Sequence, residues 1–162
     1  MSLPVPTKQN EVMGKGYAAL FENHVVFLTG STGSLGGCLL YKLALQLPTR
    51  KIFVLIRGSA QLATDKWRKL MPNQTDAILN TKKVHFVVGD MRIPGFGIDP
   101  AGLGQLREQV TLVIHAAAQI SLDSGIREAI EDNCLPALEL AGIASQFMRL
   151  KLFLQLSTAY AN

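Results

Sequence analysis

The stretch Thr29–Gly37, TGSTGSLGG, stands between the apolar run HVVFL and the helically spaced segment CLLYKLALQL. Gly30, Gly33 and Gly36 recur at intervals of three. A glycine turn between a strand and the helix that follows it is where a dinucleotide's pyrophosphate is bound. Gly30 lets the chain leave the strand tightly, Gly33 keeps side-chain bulk away from the backbone N–H groups, and Gly36 lets the helix approach the sheet. The helix N-terminus adds unpaired N–H donors and a partial positive charge. Thr32, Ser34 and Leu35 lie between these glycines and join the expected cofactor contacts, the two hydroxyls as further donors. The alternative is a turn with only a structural role.

The second strand ends VLIRG, and no Asp or Glu occurs between Glu22 and Asp65. An NAD site places a carboxylate there for the ribose hydroxyls. A guanidinium instead holds the extra phosphate of NADP through paired hydrogen bonds. Arg57 is therefore the expected 2′-phosphate contact, with Lys66 as its helper, and NADPH the expected cofactor. An ordinary surface arginine at a strand end is the alternative.

The elements that must position these residues alternate. Strands are expected at His24–Thr29, Ile52–Arg57, Val84–Val88, Thr111–His115 and Leu152–Leu156, each apolar with little polar alternation, as in strands covered on both faces. Between them lie helical patterns. One carries Leu39, Leu43 and Leu47; one or two span Ser59–Asn80, broken near Met71-Pro72. Another starts at Asp99-Pro100, and the last buries Leu140, Ile143, Phe147 and Leu150. A short helix is expected over 12–22. This alternation specifies an α/β fold, a doubly wound parallel sheet of strand order 3-2-1-4-5 with right-handed crossovers.

The chain of 162 residues is 48% hydrophobic and 17% charged, with a formal net charge of +4. That composition describes a core-rich globular domain. Basic residues come at most in pairs, which argues against nucleic acid. Cys38 and Cys134 are expected to be reduced and buried. No Cys/His cluster has metal-ligand spacing, so no metal is expected. No apolar run reaches the length of a membrane span and the N-terminus has no signal-peptide core, so a cytoplasmic-type, reducing compartment is the default. Oligomeric state is not legible.

The turn TGSTGSLGG resembles the TGxxGxxG turn of extended short-chain dehydrogenase/reductases. With KIFVLIRG, VVGDMRIPGFGI, VIHAAAQISLD, Asn133 and the ending LSTAYAN, the chain is similar to fatty acyl-CoA reductases of the male-sterility type. The resemblance implies a Rossmann-like fold and the reduction of an acyl thioester by NADPH, to alcohol or aldehyde. It also implies that Asp90 and Met91 flank the adenine, that Ala116, Ala117 and Ala118 leave room for the cofactor, and that Asn133 orients backbone near the nicotinamide. Asp90 as a loop cap and Asn133 as a helix N-cap are the alternatives. His115 is read as a packing residue. By motif position Thr158 is assigned to the oxyanion and Ser157 to the cofactor.

The family's Tyr and Lys pair is absent here, since Phe21 and Leu45 follow Tyr17 and Tyr41 at the required spacing. The family places that pair after STAYAN. The chain is therefore expected to comprise a lead-in, residues 1–22, and an NADP-binding domain, residues 23–162, inactive alone without the catalytic pair and substrate region. Membrane or organelle association through other parts stays open. Leu122 and Pro136 depart from the family's usual aromatic and glycine. Two other readings are a thioester reductase domain that releases a carrier-bound acyl or peptidyl chain, and a non-catalytic NADP-binding module.

Overall fold

The computed structural model describes residues 16–121 and 125–157. Residues 16–19 are helical and 20–23 form a turn that leads into the first strand. Five parallel strands follow: β1 (Val25–Thr29), β2 (Lys51–Ile56), β3 (Val84–Val88), β4 (Leu112–His115) and β5 (Leu152–Gln155). They form one sheet in the order β3-β2-β1-β4-β5, as the alternating pattern predicts. Phe27 at its centre is in register with Phe53 on one side and Val113 on the other.

Both faces of the sheet's centre are covered, so β1, β2 and β4 read as continuous apolar runs, while the edge strands β3 and β5, expected to be covered as well, stay largely exposed. Val26, Leu28, Ile52, Val54 and Ile114 point into one buried layer with Leu40, Leu43, Trp67 and Ile78. Val25, Phe27, Phe53, Leu55 and Val113 point into the other with Phe96, Leu106, Leu140 and Phe147. The first layer is built by α1 (Ser34–Tyr41), α2 (Ala60–Leu70) and α3 (Thr75–Asn80), the second by α4 (Pro100–Gln109) and the helical run before β5. Ser59 caps α2 by accepting from the Leu62 amide, and Asp99 caps α4 by accepting from that of Gly102. Both are side-chain oxygens in extended backbone, as N-caps require.

The helical run before β5 departs from expectation. It begins at α5 (Ile126–Ala129), passes through a π turn at Ile130–Cys134 and continues as α6 (Leu135–Ala144). Pro136 therefore lies well inside a helical path. A proline there has no N–H to give and crowds the preceding turn, and the widened π turn absorbs both defects. Asn133 is consequently not an N-cap. The helix ends at Ala144, so the buried stripe is Leu140, Ala144 and then Phe147 in the following turn, not a continued helical repeat. Cys38 and Cys134 are a second correction, for both are exposed. The inward face of α1 is taken by Gly36, Gly37 and Leu40, and that of α6 by Pro136, Ala137 and Leu140.

One buried histidine joins the two central strands. His115 is only 4% exposed, and its Nδ1 lies 2.7 Å from the Thr29 hydroxyl. That oxygen also accepts from the Ala117 N–H at 3.3 Å. Burial lowers the pKa of His115, and burial likewise lowers those of His24 and His85, with Lys151 and Lys51 adding repulsion. The unfolded chain then takes up protons first as pH falls below about 6.5. Stability is expected to be flat above that value and to decline below it, by at most about 1.4 kcal/mol per pH unit for the buried His115 and by less for the more exposed His24 and His85. Urea-unfolding midpoints between pH 5 and pH 8 check this, and His115→Gln should flatten part of the decline.

Candidate dinucleotide site

The site is assembled where β1 gives way to α1. Gly30 adopts φ +76°, a left-handed conformation that favours glycine. A Cβ there would stand 2.5 Å from the Ala117 nitrogen, so the turn lies directly against the backbone after β4. At Gly36 a Cβ would fall 2.0 Å from the Gly30 carbonyl oxygen, which means that the first turn of α1 rests on the exit of β1 with only hydrogen between them. Gly33 differs from both. Its backbone is ordinary extended chain, and the nearest atom to an added Cβ is the Gly30 oxygen at 3.4 Å. The space above it is open.

Three donors of this turn are free. The Gly33 N–H bonds the Gly30 carbonyl and the Gly37 N–H that of Gly33. Among the described residues, the N–H groups of Thr32, Ser34 and Leu35 meet no acceptor. Gly33 stands at the N-cap position with no side-chain cap, and the first turn of α1 holds no acidic residue. Bare amides at a helix N-terminus, open to solvent, form an anion cradle.

A cleft of about 450 Å³ runs from this cradle along the carboxyl edge of the sheet. The turn contributes Gly30, Thr32 and Gly33; the end of β2 contributes Arg57; and α2 contributes Ala63 and Lys66. Asp90 and Met91 enter after β3, and Ala116, Ala117 and Ala118 after β4. Ten of the sequence-predicted residues thus share one cleft. Arg57 and Lys66 are exposed and form no ion pair among the described residues.

Ser34 and Leu35 lie beside the cleft lining, with Leu35 turned outward, and Gly36 is buried beneath it. Asn133 stands behind the loop after β4. Its Oδ1 accepts from the Gln119 N–H at 2.7 Å and its Nδ2 donates to the Gln119 carbonyl at 3.1 Å. A primary amide that takes both backbone groups of one residue fixes that loop's path. Ser157 is exposed just past β5, where the Leu156 N–H still bonds the His115 carbonyl. Thr158 lies outside the described residues.

Several cleft residues escaped the sequence pattern. Arg92 lines the cleft and grips Asp90, Nη2 to Oδ2 at 3.1 Å and Nε to Oδ1 at 3.3 Å. Hydrogen bonds from Arg92 hold the Asp90 carboxyl below its usual range, and Arg57 adds attraction. Gln119 and Asp132 also line the cleft, so its charged lining is three cations against two carboxylates. Arg92 follows Asp90 by two places, and that short spacing was the available signal.

An all-parallel doubly wound sheet with a bare glycine turn at its carboxyl edge defines an NAD(P)-binding domain of the Rossmann-like class. The chain belongs to the male sterility protein family of NAD-binding domains, whose model matches residues 28–162. It is 29% identical to mouse (Mus musculus) fatty acyl-CoA reductase 2 over 153 residues, 90% of this chain and 30% of that protein. It is 27% identical to the Drosophila melanogaster fatty acyl-CoA reductase wat, over 88% of this chain and 29% of that protein. The terminal R domain of the myxalamid PKS-NRPS biosynthetic pathway superposes with a TM-score of 0.71 and 25% identity, over 85% of this chain and 35% of that one. The chain thus spans less than a third of the length of these two reductases.

The second and third glycines of the repeat yield opposite expectations. Gly33→Val should fold, because its backbone and surroundings accept a side chain, but should lose dinucleotide binding, because that side chain enters the cradle. Gly36→Ala should cost at least about 3 kcal/mol, since a backbone carbonyl cannot yield as a side chain does. Thermal unfolding and NADPH titration of the two variants separate these effects.

Proposed function

We propose that this domain binds NADPH and serves a reductase of fatty acyl thioesters. The reading is carried by one observation: the cleft that begins at the bare amides of the glycine turn continues to Arg57 and Lys66, with no carboxylate at the end of β2. The pyrophosphate rests on the N–H groups of Thr32, Ser34 and Leu35, across the open face of Gly33. Arg57 and Lys66 hold the 2′-phosphate, and Asp90 and Met91 flank the adenine. Ala116, Ala117 and Ala118 pass beneath the nicotinamide side, where Asn133 secures the loop through Gln119. Ser157 faces the cofactor.

A bound reduced nicotinamide supplies hydride to a carbonyl. The contribution of this chain to that reduction is position and charge. Thr158 donates a hydrogen bond to the oxygen on which negative charge develops, and such a donor strengthens as the charge grows. Burial keeps His115 neutral and engaged with Thr29, so it holds the strand ends together and takes no proton from the substrate.

The substrate assignment follows the fatty acyl-CoA reductases to which the chain is similar. Its likeness to an R domain of a carrier-based assembly line favours a second reading, an acyl group delivered on a carrier protein. NADPH consumption by the protein carrying this domain decides between them. A long-chain acyl-CoA should be the better substrate by kcat/KM; preference for the same acyl group on a carrier protein reverses the assignment, and no turnover with either leaves a binding module.

Cofactor choice is tested at Arg57. Loss of a charge-assisted hydrogen bond to phosphate costs about 1.5–3 kcal/mol, roughly ten- to a hundred-fold in affinity. Arg57→Ala should weaken NADPH by that factor and leave NADH nearly unchanged, and Arg57→Asp should tilt preference to NADH by added repulsion. Equal weakening of both cofactors in paired titrations contradicts the assignment.

A further inference from the structure

Trp67, the chain's single tryptophan, lies behind the glycine turn and is fully buried. Its ring stacks on Phe86, with centroids 5.5 Å apart and planes at 21°. Its indole N–H donates to the Ser31 carbonyl at 3.0 Å, and Ser31 is itself buried. The peptide bond from Ser31 to Thr32 is trans, as are all others in the described residues. In a trans peptide the C=O and the following N–H point in opposite directions. A carbonyl drawn inward to Trp67 therefore turns the Thr32 N–H outward, and Thr32 is the residue of this pair that lines the cleft.

The same helix reaches the cleft on its other side. Lys66, next to Trp67 on α2, lines the cleft where Arg57 enters, and Ala63 does so one turn earlier. Met71, at the end of α2, supports the glycine turn's helix, its methyl 3.6 Å from where a Cβ of Gly37 would stand. One short helix thus touches both the pyrophosphate cradle and the cation beside it.

We propose that Trp67 is a positioning residue for the phosphate cradle: its indole N–H sets the Ser31–Thr32 peptide so that the Thr32 N–H faces the dinucleotide's pyrophosphate. This rests on the NADPH reading above and deepens it. Without the indole donor the buried Ser31 carbonyl has no partner and the peptide is free to rotate, which withdraws one donor from the phosphate. A buried acceptor left unpaired is costly enough to drive that rotation. Lys66 stays in place on its helix, so recognition of the 2′-phosphate is unaffected.

The test replaces Trp67 by phenylalanine and, separately, by its benzothiophene isostere, which keeps the ring's size and its stacking on Phe86 but has no N–H. If the phenylalanine variant fails to fold, the isostere carries the test. NADPH and NADH are both expected to weaken, by roughly tenfold, while adenosine 2′-phosphate, which has no pyrophosphate, binds as to wild type. Unchanged NADPH affinity in a folded variant overturns the proposal. Equal weakening of all three ligands also overturns it, since that marks general loosening rather than loss of a donor. Failure of the unaltered protein to bind NADPH overturns instead the underlying assignment of the cleft.

Discussion

No carbon atom fits between Gly36 and the carbonyl of Gly30. That single contact sets how α1 leaves the sheet, and the rest of the site depends on it. Because the helix starts so close to the end of β1, its unpaired amides arrive at the carboxyl edge and not beyond it. The turn is short enough that Gly30 touches the backbone after β4, so the cradle and the alanine run belong to one surface. A longer or bulkier turn would separate them and move the helix N-terminus away from the place where strand ends converge.

The charge of the cleft follows from the same architecture. Parallel strands with right-handed crossovers bring the residues after β2, β3 and β4 to one edge, whatever their separation in sequence. Arg57, Asp90 and Ala116 meet there although more than thirty residues lie between the first two. Asp90 is held by Arg92, so the carboxylate after β3 is already paired, while Arg57 at the end of β2 and Lys66 on α2 form no ion pair among the described residues. Arg57 and Lys66 share the cleft with the bare amides of the glycine turn, and a ligand with two separated phosphate groups matches that lining.

Most of the fold was legible because the three central strands are buried on both faces and even the partly exposed edge strands are short apolar runs between helical patterns. The five strand positions and their order emerge from that pattern alone, with boundaries displaced by about a residue. The glycine turn was equally plain, though close backbone approach accounts for Gly30 and Gly36 and open space above the turn for Gly33. What escaped has a common cause. The π turn at Ile130–Cys134 changes which helix face looks inward, and periodicity cannot foresee a change of period. Cys38 and Cys134 are exposed because the inward positions beside them go to Gly36, Gly37 and Leu40 on α1 and to Pro136, Ala137 and Leu140 on α6. Trp67 acts through Ser31, a partner distant in sequence, and no local spacing marks it; for Arg92 the two-residue spacing from Asp90 was the one signal. Asn133 was placed by resemblance, and its double hydrogen bond to Gln119 supplies the physical reason for an amide at that point.

Pyrophosphate binding at the glycine turn is tested most directly by a crystal structure of the protein with NADPH. The pyrophosphate oxygens should lie within hydrogen-bond distance, about 3 Å, of the N–H groups of Thr32, Ser34 or Leu35, with the adenine end toward Arg57. A dinucleotide bound with its pyrophosphate away from this turn, or with its adenosine end directed to Ala116–Ala118, contradicts the account.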